Sequence, residues 1–312
     1  MIYNLNENDS IYNTLQKCNP GDTIYLKAGI YKEKVNVFVD NITIIGESKD
    51  KTIIENGDYY HKIMSDNNEC NTFRTHTVFV GSNNVTIKNL TIKNNAVPSN
   101  IYGQAVALHA DGNNFKCENV ILKGAQDTLF TAPLPPNLLI KYKGFLPDYK
   151  ITGKHNRQIF DKCLIIGDVD FIFGGATVLF NECEIRSIKR ESNQFETQGY
   201  LTAPSHNQNI KFGYLFYKCK LTSEEGVSNV YLSRPWRDYG CTAFIDCEIG
   251  NHIKKEGYSN WPKTERYETA RYFEYSPSID TTNRVKWATI LTKNEAIEYY
   301  NSFIKYLKDE ES

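Results

Sequence analysis

Much of the chain reads as short apolar runs that alternate with polar residues and end at asparagines or charged turns. Asn41-Ile42-Thr43-Ile44, Asn84-Val85-Thr86-Ile87 and Asn89-Leu90-Thr91-Ile92 repeat one theme. A second theme places a cysteine three residues after a phenylalanine, in Phe160-Asp161-Lys162-Cys163, Phe180-Asn181-Glu182-Cys183, Phe216-Tyr217-Lys218-Cys219 and Phe244-Ile245-Asp246-Cys247. Cys183 follows Cys163 by 20 residues. Short β-rich segments with a period near 20 predict a parallel β-helix, with like residues of successive coils stacked at ~4.8 Å. A β-sandwich would need paired runs joined by hairpin turns, and hairpin dipeptides are few; Asn56-Gly57 and Asp111-Gly112 are the candidates. The Asn-x-Thr triplets therefore read as strand repeats before glycosylation acceptors.

The two ends break the strand pattern. Ser10-Ile11-Tyr12-Asn13-Thr14-Leu15 predicts a short helix closing the first coil. Thr292-Lys293-Asn294-Glu295 is a capping box. Ala296, Ile297, Tyr300, Phe303, Ile304 and Leu307 follow it at helical spacing, so a second helix should lay an apolar stripe on the solenoid's side. Residues 133–154 hold Pro133, Pro135, Pro136, Gly144, Pro147 and Gly153 among Tyr142, Phe145 and Tyr149. They read as a long loop inserted into one domain spanning residues 1–312.

Composition narrows the function. With 312 residues, 40% of them hydrophobic, the chain can bury a large core. A net charge of −1 gives no general attraction to nucleic acid or to an anionic membrane. No apolar run approaches transmembrane length. The eight cysteines include no Cys-x-x-Cys pair, and those that repeat in one frame read as small interior side chains rather than as disulfides or zinc ligands. The six histidines (61, 76, 109, 155, 206 and 252) sit in no motif. The polar start Met1-Ile2-Tyr3-Asn4-Leu5-Asn6-Glu7 lacks a basic lead-in. A cytoplasmic protein is therefore expected, the alternative being export by a signal absent from this sequence.

Chemistry concentrates in three places. Asp170 lies inside the apolar run Gly167-Asp168-Val169-Asp170-Phe171-Ile172-Phe173-Gly174, where burying a carboxylate costs several kcal/mol unless it is paired or used. Asp127 has a similar setting in Gly124-Ala125-Gln126-Asp127-Thr128-Leu129-Phe130. Ser233-Arg234-Pro235-Trp236 adds an arginine and an aromatic ring after another strand-like run. Two carboxylates, amides, an arginine and a tryptophan suit acid–base work on a sugar surface. Gln104 and Gln126 could instead form a polar ladder between coils, Arg234 a surface ion pair, and Trp236 a cover over coil ends.

In order along the chain, these segments resemble the pectin methylesterases (pectinesterases). The matching stretches are Gly21-Asp22-Thr23-Ile24-Tyr25-Leu26-Lys27-Ala28-Gly29-Ile30-Tyr31, Gly103-Gln104-Ala105-Val106-Ala107-Leu108, Gln126-Asp127-Thr128-Leu129, Val169-Asp170-Phe171-Ile172-Phe173-Gly174 and Tyr231-Leu232-Ser233-Arg234-Pro235-Trp236. Phe273-Glu274-Tyr275 and Arg284-Val285-Lys286-Trp287 close the series. The resemblance implies a right-handed parallel β-helix. It also implies hydrolysis of galacturonate methyl esters in pectin or methylated oligogalacturonides, with release of methanol. Separately, a monomer without cofactor or metal is expected. The resemblance makes Asp170 the nucleophile and Asp127 the general acid, then base. Gln126 and Gln104 become oxyanion donors and Arg234 the orienting partner of Asp170. Trp236, Phe171 and Thr72 become substrate contacts. Asp168 is a third acid that strand alternation would turn to the same side as Asp170. A pectate lyase, a non-catalytic pectin-binding β-helix and another ester hydrolase on this scaffold are the competing readings.

Overall fold

The computed structural model describes residues 1–151, 153–190 and 196–308, apart from the Asp148 side chain. Its named strands form three sheets of eleven, seven and eight strands. Every pairing between named strands is parallel, as in Tyr3 against Ile24 and Ile44 against Ile87. Each sheet takes one strand from each successive turn of chain, so the molecule is a right-handed parallel β-helix. Asn56-Gly57 and Asp111-Gly112 are not hairpin turns.

The repeated themes are the corners and interior of this solenoid. Asn41, Asn84 and Asn89 have φ of 58°, 57° and 53°, the left-handed conformation that asparagine tolerates best among residues with a Cβ. Two asparagine corners stack through side-chain amides, Asn114 onto Asn84 at 2.7 Å and Asn119 onto Asn89 at 2.9 Å. Inside, the rings of Phe180 and Phe216 lie 4.4 Å apart at 5°, and those of Phe216 and Phe244 4.6 Å apart at 9°. The cysteines form a parallel column of buried thiols. The Sγ of Cys183, Cys219 and Cys247 each donates at 3.3 Å to the carbonyl of Phe160, Phe180 and Phe216 respectively. All eight cysteines are free thiols.

A helix lies near each end of the chain. Helix α1 (Ile11–Leu15) is N-capped by Ser10, whose side chain accepts from the Asn13 amide, and it buries Ile11 and Leu15. Helix α2 (Ser99–Tyr102) lies mid-chain and ends at Gly103. Helix α3 (Lys293–Lys308) begins with the expected box, Glu295 accepting from the Thr292 amide and hydroxyl at 2.8 and 2.7 Å. It buries Ala296 and Phe303 against Leu179, Leu215 and Ala243 on the solenoid flank. Ile297, counted in that stripe from the sequence, is exposed. Near the last coil, Arg284 makes a two-pronged buried pair with Glu274, both bonds 2.9 Å, so this motif is structural.

The seven-stranded sheet matters most for function. Its strands are β1 (Val35–Val37), β2 (Val78–Val80), β3 (Leu108–Ala110), β4 (Leu129–Thr131), β5 (Val169–Gly174), β6 (Gly199–Pro204) and β7 (Val230–Ser233). They lie side by side in chain order. The segment 133–154 folds over this sheet, apart from Thr152, which lies outside the described residues. It forms short 3₁₀ turns at Pro136–Tyr142 and Asp148–Lys150. Leu134, Tyr142 and Leu146 bury themselves with Phe73, Phe79, Phe130 and Phe173 in a second apolar core. Its aromatics dock this long loop against the sheet.

Candidate active site

Register brings the sequence candidates together. Leu108 pairs with Leu129 and Leu129 with Ile172, so β3, β4 and β5 run in step. Gln104, just before β3, forms an isolated bridge with Gln126, just before β4. Asp127 follows, its amide bonded to the Val169 carbonyl at 3.1 Å, and Asp170 stands on the next coil. Asp127 and Asp170 have φ of 66° and 49°. Left-handed backbone at a non-glycine residue costs roughly 1–3 kcal/mol and persists only where neighbours enforce it.

At Asp170 the enforcing feature is a break in the ladder. The pairing of β5 with β6 shifts register between Val169 and Ile172. Such a bulge re-aims side chains. Phe171 and Ile172 are both fully buried in the main core, and Phe173 turns to the cleft. This corrects the expectation for Phe171: at 0% exposure it does not line the cleft, whereas Phe173 does. Gly167 makes the packing possible, since a Cβ there would lie 2.3 Å from the Phe171 Cβ.

Arg234 leaves the end of β7 and reaches back past β6 to Asp170. Its Nε donates to Oδ1 at 2.8 Å and its Nη2 to Oδ2 at 2.6 Å. The guanidinium lies 3.8 Å from the Tyr200 ring centroid and 4.4 Å from that of Trp261. Burial opposes its charge, but Asp170 outweighs burial and raises the pKa. Asp170 is 6% exposed and Asp127 7%. Burial, then the facing Asp170 charge, pushes Asp127 well above the usual carboxylate range; Arg234 and a bond from Gln126 pull the other way. The net direction holds the proton on Asp127, because two neighbouring carboxylates in a dry site resist double ionisation.

A cleft of about 290 Å³ opens over these groups. Gln104, Gln126, Asp127, Asp170, Arg234, Trp236 and Thr72 all line it, with Phe73, Phe173, Ala203 and Trp261. Trp236 meets Phe173 edge-on at 5.7 Å. Sequence reasoning missed Trp261 and Tyr200. Trp261 lies in the polar stretch Ser259-Asn260-Trp261-Pro262, which carries no periodic signal. Tyr200 occupies an ordinary strand position whose neighbour across two coils is not readable. Asp168 does not share the cleft with Asp170: it turns to Ser99. Residues of the 133–154 segment stand behind the cleft wall, Tyr142 meeting Phe73 edge-on at 6.1 Å. Among the described residues no helix is long and apolar enough to cross a membrane.

Fold and site together define a right-handed parallel β-helix with an arginine-clamped acidic cleft on one sheet. Residues 7–134 and 147–308 match the Pectinesterase family model, and the chain belongs to that family. It is 32% identical over 283 residues to pectinesterase/pectinesterase inhibitor 3 of Arabidopsis thaliana, an alignment covering 87% of this chain and 42% of that protein. The chain thus spans less than half the length of this curated relative. Pectin methylesterase PemA from Erwinia chrysanthemi aligns at TM-score 0.79 and 25% identity, over 98% of this chain and 97% of that one. A pectin methylesterase solved in complex with hexasaccharide VII aligns at TM-score 0.78 and 26% identity, over 96% and 93%. The family match omits residues 135–146, the centre of the segment docked behind Phe73.

Proposed function

We propose that this chain hydrolyses the methyl esters of galacturonate units in pectin or methylated oligogalacturonides and releases methanol. The observation that carries this reading is the Asp170–Arg234 pair beside Asp127, whose raised pKa keeps its proton, in a cleft walled by aromatic rings. Family membership supports the ester and the sugar as substrate, and the pair supports the chemistry.

An Asp170 carboxylate oxygen attacks the ester carbonyl carbon. The carbonyl π electrons move to oxygen, and the Gln104 and Gln126 amides stabilise that oxyanion without adding net charge. As the oxyanion collapses, the C–OCH₃ bond breaks and Asp127 gives its proton to the leaving methoxide. Methanol departs, leaving an acyl-enzyme on Asp170 and a carboxylate on Asp127. Asp127 then takes a proton from water as the water oxygen attacks the acyl carbon. The C–O bond to Asp170 breaks, so Asp170 is regenerated as a carboxylate and Asp127 is again protonated. The product leaves as galacturonic acid, which gives its proton to solvent as it becomes galacturonate. Trp236, Trp261 and Phe173 offer apolar faces to the sugar, and Thr72 a hydroxyl. A solved relative holds a hexasaccharide, which supports an extended sugar as the ligand of this cleft. We propose that residues 1–312 act as one unit, as a monomer. The relatives give the cytoplasmic expectation no support, and we carry the exported alternative.

Methanol release tests this directly on methylated pectin, methylated oligogalacturonides and a simple acyl ester. Release from the first two is expected. Unsaturated product without methanol would indicate a lyase, and binding without turnover a sugar-binding module; either would overturn the reading.

A further inference from the structure

Asp168 has no part in the chemistry above, yet it is 2% exposed and fully engaged. Its Oδ2 bonds the Ser99 hydroxyl. Its Oδ1 accepts the Val169 amide at 2.6 Å. That amide sits where the β5–β6 register shifts, so the side chain satisfies a buried donor at the break in the ladder. The Val169 carbonyl in turn accepts the Asp127 amide at 3.1 Å. The Asp168 backbone is pinned as well, its amide donating to Ala125 and its carbonyl accepting from Tyr200, both at 3.1 Å. Gly199 is needed for this approach, because a Cβ there would lie 2.3 Å from the Asp168 oxygen.

Ser99 opens helix α2, which runs to Tyr102. Gly103 then turns the chain at φ 69° and Gln104 follows. One carboxylate therefore touches both the bulge that aims Asp170 and the turn that presents Gln104, although the two lie on different coils.

We propose that Asp168, held by Ser99, is a positioning residue that fixes Asp170 and Gln104 relative to each other. This rests on the ester-hydrolase reading. Asp168→Ala frees both the bulge and the turn. Asp168→Asn can still accept the Val169 amide and donate to Ser99, so it should rescue. Ser99→Ala cuts only the link to the Gln104 turn.

Steady-state kinetics and crystal structures of wild type and the three variants test the proposal. Misplacement by about 1 Å costs roughly 10²-fold in rate, so Asp168→Ala should lose about that in kcat while KM moves little. Ser99→Ala should lose less, and Asp168→Asn should recover most of the rate. If Asp168→Ala does not fold, Ser99→Ala and Asp168→Asn carry the test. Wild-type kcat in Ser99→Ala, or a loss that Asp168→Asn does not recover, overturns the proposal. The crystal structures read placement without substrate. In Ser99→Ala and Asp168→Ala, Gln104 should shift relative to Asp170, or Asp170 should lose one of its two bonds to Arg234. Unchanged placement overturns the proposal even if wild type proves to have another activity; an inactive wild type with shifted groups overturns only the esterase reading.

Discussion

Arg234 bonds both carboxylate oxygens of Asp170, at 2.8 and 2.6 Å, while its guanidinium lies over the rings of Tyr200 and Trp261. Lysine could supply the charge but neither the two-pronged contact nor the flat face. Arg234→Lys should keep the fold and lower kcat by roughly 10²-fold through misorientation of Asp170. Arg234→Ala leaves a buried carboxylate unpaired and should also cost about 3–5 kcal/mol of stability. Kinetics with denaturant unfolding of both variants checks this; an active, wild-type-like Arg234→Lys would show that orientation does not matter.

Asp127 ties activity and stability to pH. As general acid it must be protonated, so turnover should fall as pH rises through its raised pKa. Asp127→Asn should flatten that alkaline limb and leave little activity. Stability falls in the same direction. At pH below the unfolded carboxyl value of about 3.9, folded and unfolded states are both protonated and Asp127 carries no penalty. Above it, the unfolded chain gives up the proton first and the folded state is progressively disfavoured until its own raised pKa is passed. Asp127→Asn has no such loss. Its Tm advantage over wild type should therefore be smallest near pH 4 and grow with pH. An advantage independent of pH would show that Asp127 is not held protonated.

The bridge between Gln104 and Gln126 is compatible with a mere polar ladder between coils. The oxyanion role makes a different demand. Gln126→Ala should lose roughly 10²–10³-fold in kcat, as removal of one such donor typically does. Asp127→Asn should lose more. Kinetically silent Gln126→Ala with a lowered melting point would mark the glutamine as a ladder residue only.

The docked segment should act on substrate choice. Tyr142 bonds His109 Nε2 at 2.9 Å and stands behind Phe73, a wall of the cleft. Replacing residues 135–146 by a short linker should change the preference for chain length or methylation pattern, with activity on a minimal methyl ester retained. Profiling oligomers of graded length decides it; identical profiles would make the segment structural alone.

The solenoid was legible because its signal is repetition. The Asn and Phe–Cys frames mark corners and stacked interior positions independently of what the loops do. Asp127, Asp170 and Arg234 were legible for another reason: charged groups in apolar runs need partners, and each supplies one to another. Phe171 was misplaced because the resemblance carried its whole segment to the cleft. Alternation from Asp170 alone would turn Phe171 inward, and the left-handed turn at Asp170 puts Ile172 into the core beside it. The same break separates Asp168 from Asp170. Trp261 and Tyr200 were invisible because their role depends on stacking across coils, which no local pattern encodes. The path of 133–154 depends on which sheet face lies bare beside it, also a property of the assembled fold.

The nucleophile is the central claim, and methanol release by Asp170→Asn on a methylated oligogalacturonide tests it most directly. Asparagine has the same shape but cannot form the acyl-enzyme. With circular dichroism unchanged, methanol release should fall to background while wild type turns over. Release above about a tenth of the wild-type rate, equivalent to a barrier change under about 1.4 kcal/mol, would contradict the assignment of Asp170.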